Sequence, residues 1–194
     1  MSKNAVSYTD LTHQVVQSAP EPLPFEEILA RVADLAPITT SNPKQTIRNA
    51  LYSSRLLVSV GNKRYGWMPH VLNGSVLRLT LTADDLLNKR LVYNDEVREA
   101  LYPAFFESGK RSDRSPITLV LPDGSEAQVA LEHGGNREWG TAWTVGMWRW
   151  LTAQGAQAGD HLIVTVLNGE ARRYGLAYQR RDKHDETVID QRNH

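Results

Sequence analysis

The most constraining stretch of this 194-residue chain is a capped polar helix that runs straight into a hairpin. Asn42 is a helix-capping residue type, Pro43 suits the first helical position, and Gln45 follows three residues after the cap. Ile47, Ala50 and Leu51 give that helix one apolar face. Its opposite face carries Lys44, Gln45, Arg48, Asn49 and Tyr52. These residue types suit DNA: Arg and Lys donate to guanine or phosphate, and Asn and Gln pair with the adenine edge. Two β-type runs follow, Leu56 to Val60 and Lys63 to Trp67, around Gly61-Asn62. That pattern predicts a tight hairpin with Lys63 and Arg64 at its tip.

Two helices precede this pair. Tyr8, Leu11, Val15 and Val16 mark an amphipathic helix that Pro20-Glu21-Pro22 stops. A second starts near Pro24 with Glu26 and Glu27 in its first turn, where the helix dipole favours anions. Its apolar face is Phe25, Ile28, Leu29 and Val32, and Pro37 ends it. Two helices, a capped polar helix and a basic hairpin form the winged helix-turn-helix plan, in which the third helix enters the major groove and the wing meets the backbone or minor groove. Asn42 to Leu51 followed by Leu57 to Trp67 resembles the HARE-HTH winged-helix family, over residues 5–68. That family occurs in bacterial RNA polymerase delta subunits, some restriction systems and chromatin proteins. The resemblance implies binding of DNA or of associated proteins, and a winged helix used only for protein docking is the alternative.

Charge is misleading when summed. Twenty-two Lys and Arg balance twenty-two Asp and Glu. Residues 1–34 hold two basic side chains (Lys3, Arg31) and five acidic ones (Asp10, Glu21, Glu26, Glu27, Asp34). Residues 35–83 hold six basic ones (Lys44, Arg48, Arg55, Lys63, Arg64, Arg78) and no acid. Screening over short distances makes local charge matter more than the total, so this segment can form a phosphate-binding face. Chance clustering on a solvated surface is the plainer reading. The chain has no cysteine, which excludes disulfides, thiolate catalysis and the usual structural zinc sites. No run approaches the ~18 apolar residues of a membrane span, and Met1 to Tyr8 lacks the apolar core of a signal peptide. The expectation is a cytoplasmic chain with no membrane partner.

Past a short linker, Met68 to Gly74, the pattern changes to many short strands. Val76 to Leu81, Ile117 to Leu121, Glu126 to Leu131, His161 to Val166 and Arg172 to Tyr178 are strand candidates, with a turn at Pro122-Asp123-Gly124. Thr82 caps a short helical turn, Asp95 to Leu101 reads as a helix, and Phe106 to Ser115 reads as a charged loop. A tryptophan-rich helix or turn covers Val145 to Gln154. The fold class expected for the whole is α+β: a winged helix over residues 1–70, then a small β-pseudobarrel over residues 75–179. Residues 180–194 alternate charge, have little to bury, and are expected to be disordered.

Leu79 to Leu86, Arg90-Leu91-Val92, Leu119 to Gly124, Thr144-Val145-Gly146 with Trp148, and Ala158-Gly159-Asp160 resemble the B3-like pseudobarrel family. That family includes plant transcription-factor domains and DNA-recognition domains of some restriction endonucleases. In it tryptophan directly follows the glycine, whereas here Met147 intervenes. The resemblance implies two loop arms gripping a major groove. By position the first arm is Asn88, Lys89 and Arg90. The second is Asn136, Arg137, Glu138 and Trp139, with Thr141 beside them. Trp143, Trp148 and Trp150 read as core, and Trp139 as the one candidate for base stacking.

Catalysis finds little support. No acid is followed by Glu-X-Lys or Asp-X-Lys, the cation-holding pattern of restriction-type nucleases. The six histidines are scattered, without a His-X-X-X-His pair. There is no nucleophile elbow, P-loop or dinucleotide fingerprint. Asp160-His161 reads as a structural turn entering a strand. The expected protein is a non-enzymatic, sequence-specific binder of double-stranded DNA that needs no cofactor or metal. An adaptor docking on a protein partner such as a polymerase or nuclease is the alternative.

Overall fold

A computed structural model describes residues 7–103, 116–133 and 139–183. The chain is α+β, and the described residues fall into two compact units, 7–73 with Pro103, and 74–102 with 116–183.

The first unit runs α1 (Tyr8–Gln17), β1 (Leu23–Pro24), α2 (Phe25–Leu35), α3 (Pro43–Tyr52), β2 (Leu57–Ser59), β3 (Arg64–Trp67) and α4 (Met68–Val71). Local chemistry starts the helices. Ser7 Oγ accepts from Thr9 N at 3.1 Å to cap α1, and Asn42 Oδ1 accepts from Gln45 N at 3.1 Å to cap α3. Apolar faces then meet: Leu11, Val15 and Val16 of α1, Ile28 and Val32 of α2, Ile47 and Leu51 of α3, and Leu57 and Trp67 of the sheet are all buried. Each such side chain contributes ~1.5–3 kcal/mol on burial. The sheet order is β1-β3-β2, all antiparallel, which with three helices is the winged-helix arrangement.

Three local expectations change. Leu23-Pro24, inside a proline-rich stop, pairs with Tyr65 and Arg64 as an edge strand, where proline's missing N–H is tolerated. The linker from Met68 contains a helical turn, α4, with Pro69 in its first turn. The hairpin turn is longer than Gly61-Asn62. Gly61, Asn62 and Lys63 all take positive φ (91°, 49° and 55°), and Arg64 N returns to Gly61 O at 2.9 Å.

The second unit runs β4 (Val76–Thr80), α5 (Ala83–Asn88), β5 (Arg90–Val92), α6 (Asp95–Leu101), β6 (Ile117–Val120), β7 (Glu126–Val129), β8 (Glu132–His133), β9 (Trp139–Ala142), α7 (Val145–Ala153), β10 (His161–Asn168) and β11 (Arg173–Gln179). A five-stranded sheet has the order β4-β10-β11-β6-β7, with only β11 and β6 parallel. A three-stranded antiparallel sheet has the order β5-β9-β8. Among the described residues neither sheet closes into a barrel. Alternate residues point inward, as period-two strands require: Leu162, Val164 and Val166 on β10, Ile117 and Leu119 on β6, Ala127 and Val129 on β7. Buried phenols tie the elements together. Tyr174 donates to Leu101 O at 3.1 Å, and burial pushes its hydroxyl up to about 12.

Two acids organise turns in this unit. Asp85, almost fully buried, accepts from Thr82 N at 2.8 Å and from Val92 N at 2.9 Å, so one carboxylate caps α5 and anchors β5. Asp160 accepts from Tyr178 Oη at 2.6 Å, Gln157 N at 2.8 Å and Arg181 N at 3.1 Å. The last bond corrects the disorder expected from residue 180: Arg181–Lys183 form a 3-10 turn held to Asp160. Residues 184–194 lie outside the described residues, as does the whole segment Phe106 to Ser115 read as a charged loop.

Candidate nucleic-acid interface

In the first unit α3 presents the expected polar face. Ile47, Ala50 and Leu51 are buried, while Lys44, Gln45, Arg48, Asn49 and Tyr52 are exposed. The side chains do not all project freely. Lys44 Nζ pairs with Glu26 Oε1 of α2 at 2.9 Å, and Gln45 Nε2 donates to Asn49 Oδ1 at 2.8 Å. The Arg48 guanidinium sits over the Phe25 ring, 5.2 Å from its centroid. The Tyr52 ring meets Tyr65 edge-on at 6.5 Å. A hydrogen bond with the Tyr52 phenol first, then burial, pushes the Tyr65 phenol above its ordinary value.

The wing differs in detail from the sequence reading. Lys63 is exposed in the left-handed region, and its carbonyl accepts from Phe25 N at 2.9 Å. Arg64 lies on β3 rather than at the tip, and its guanidinium donates to Pro22 O. Lys63 is therefore the tip cation, and Arg64 staples the wing to the segment before β1.

In the second unit the first arm is not a continuous loop. Asn88 is the exposed last residue of α5, Lys89 ends the helix with φ 50°, and Arg90 opens β5. Lys89 O accepts from Trp143 N at 2.9 Å, and Lys89 Nζ lies 5.0 Å from the Trp148 ring centroid. Arg90 is half-buried, and its Nη2 donates to Glu132 O at 2.8 Å. Its side chain crosses β9 at Gly140, where an added Cβ would stand 3.2 Å from Arg90 Nε.

Asn136, Arg137 and Glu138 lie outside the described residues. The strands that flank them are described, and they shorten the expected polar loop: Glu132–His133 and Trp139–Ala142 pair as β8 and β9. Arg90 is opposite Ala142, whereas the 134–138 connection leaves β9 at Trp139. Lys89 and that connection thus start from opposite ends of β9, ~10 Å apart along the strand. The Arg90 side chain leans across this gap toward β8.

Trp139 is half-buried, with His133 edge-on at 4.8 Å and the Arg98 guanidinium 5.9 Å from its centroid. Thr141 is buried and donates to Ala130 O at 2.8 Å, so it cannot contact a groove as its position had suggested. Trp143 is core, while Trp148 stacks on it at 5.6 Å and is half-buried, as is Trp150. Sequence reasoning missed three neighbours of the α3 face: Glu26, Phe25 as a cation support, and Tyr65. Only an aromatic on each flanking element signalled the last two.

Among the described residues no group of three or more His, Asp or Glu is arranged to hold a metal ion, and no helix is long and apolar enough to cross a membrane. No family model matches the chain, and no curated protein matches it. Among solved structures it is similar to the Arabidopsis FUS3-DNA complex at 18% identity, over 54% of this chain and 95% of that one, with a TM-score of 0.39. It is also similar to the N-terminal domain of Helicobacter pylori LlaJI.R1 at 10% identity, over 60% of this chain and 88% of that one, with a TM-score of 0.44.

Proposed function

We propose that this chain is a sequence-specific binder of double-stranded DNA that catalyses no reaction. The observation that carries the reading is the α3 face. Five polar or aromatic side chains suited to base edges and phosphates stand exposed on one side of a helix whose other side is core. In the winged-helix plan that face enters the major groove, and Lys63 at the wing tip meets phosphate. Residues 35–73 supply Lys44, Arg48, Arg55, Lys63 and Arg64 without an acid, so the potential over this stretch favours a polyanion. In the second unit Asn88, Lys89, Trp139 and the undescribed Asn136, Arg137 and Glu138 are secondary contacts, with Arg90 bracing the strands between them.

Fluorescence anisotropy of a labelled duplex across a salt series tests this. Four to six phosphate contacts give a slope of log K against log salt of about −3.6 to −5.4. Affinity that stays flat from low to physiological salt would sink the DNA reading and leave the protein-docking alternative.

A further inference from the structure

We propose that Phe25 and Tyr65 are positioning residues for base readout: an aromatic shelf under α3 presets Arg48 for guanine and Tyr52 for a thymine methyl, so the preferred duplex carries these bases within one or two base pairs of each other. The inference rests on α3 being the DNA-contacting face.

Three elements fix the shelf. Phe25 opens α2 and is pinned through its N–H to Lys63 O at 2.9 Å. Tyr65 lies on the central strand β3, paired to Leu23 on one side and Ser59 on the other. Both rings are buried and meet edge-on, 6.5 Å apart at 62°. Each supports one exposed side chain of α3. The Arg48 guanidinium rests over Phe25, and Tyr52 packs edge-on against Tyr65, the two phenols sharing a hydrogen bond.

A free arginine loses rotamer freedom when it is fixed on a base. A guanidinium stacked on a ring has spent part of that freedom already, and its in-plane N–H fork remains open for guanine O6 and N7. Tyr52 is 73% exposed, unusual for so large an apolar ring. Held at a fixed angle, it offers an apolar edge suited to a C5-methyl group. Arg48 and Tyr52 are spaced i, i+4, so their Cβ atoms lie ~5–6 Å apart on one face. With base pairs ~3.4 Å apart, this spacing reaches the adjacent base pair or the one beyond.

The test uses the full chain and its best duplex from a random selection, remade with uracil for thymine (no methyl) or 7-deazaguanine for guanine (no N7). Wild type should lose about fivefold or more on each analogue. Tyr52→Ala should ignore the uracil change yet still sense 7-deazaguanine, and Arg48→Ala should do the reverse. Tyr65→Phe keeps the ring but removes the hydroxyl. It should lose discrimination of thymine from uracil while the salt slope and thermal midpoint stay at wild-type values. Phe25→Leu should lose the guanine discrimination alone; if it does not fold, Tyr65→Phe still decides. Wild-type discrimination in Tyr65→Phe, or a wild type indifferent to both analogues, overturns the shelf. The underlying reading fails differently: Arg48→Ala and Lys44→Ala would then match wild type in affinity and salt slope on every duplex.

Discussion

Two glycines of the second unit should respond to alanine with opposite signs. Gly140 lies in β9, where an added Cβ would stand 2.3 Å from the Leu91 carbonyl oxygen and 3.1 Å from its carbon. Both are backbone atoms of the paired strand β5, so no rotamer change relieves the clash. Restoring ordinary contact means moving β5 by about 1 Å, against bonds such as Tyr93 N to Trp139 O at 2.8 Å and Trp143 N to Lys89 O at 2.9 Å. Overpacking typically costs about 1–3 kcal/mol, and a backbone obstacle belongs at or above the top of that range. Gly146 is in the first turn of α7, where an added Cβ would stand 3.9 Å from Thr144 Oγ1, ordinary contact. Alanine there clears its neighbours and gains up to about 1 kcal/mol of helix propensity. For a unit of this size 1 kcal/mol moves the thermal midpoint by about 4–8 °C. Scanning calorimetry should therefore show Gly140→Ala lowering the second unit's transition by ten degrees or more, with Gly146→Ala unchanged or higher. A Gly140→Ala transition within two or three degrees of wild type would refute the close approach of β5 and β9.

Three further outcomes follow from single contacts. Arg48→Ala should cost about 1–3 kcal/mol on the preferred duplex and relax sequence choice, whereas Lys63→Ala should weaken all duplexes alike and lower the salt slope by about one, both read by anisotropy. Glu26→Gln frees Lys44 from its 2.9 Å pair and removes a carboxylate beside the α3 face. Affinity should rise at low salt and converge with wild type at high salt, with a stability change under about 1 kcal/mol because the pair is exposed. Burial alone would raise the Asp160 carboxyl, but the bonds from Tyr178, Arg181 and Gln157 together hold it below the usual 3.8. A depressed folded value contributes stability above the ordinary carboxylate range that is lost as pH falls through it. Acid unfolding followed by circular dichroism should therefore show a shallower loss below about pH 4 in Asp160→Asn than in wild type.

Much of the first unit was legible because its signals are local. A cap such as Asn42 and an apolar stripe such as Ile47, Ala50 and Leu51 act within one or two turns, so residue order suffices to place α3 and its polar face. The same holds for Thr82 and Asp85 at α5, and for Asp160 as a structural turn residue. The second unit's strands were also marked by their alternation.

Pairings between distant segments were not legible, and they decide what the candidate site offers. Nothing in Leu23-Pro24 announces a partner forty residues away, yet that strand sets the edge of the wing sheet. Arg90 reads as an exposed loop cation, but β9 and β8 take up its side chain, and Thr141 goes to a buried carbonyl. Phe25 reads as part of an apolar helix face and Tyr65 as a residue of the hairpin, and only the crossing of α2, α3 and β3 turns them into supports for Arg48 and Tyr52. Residue order determined which side chains of a capped helix such as α3 face outward, through propensities and periods that act over a few residues. Tertiary structure alone decided which of them are held and against what, because register, burial and cation-to-ring contact depend on chain segments that become neighbours only when the whole unit packs.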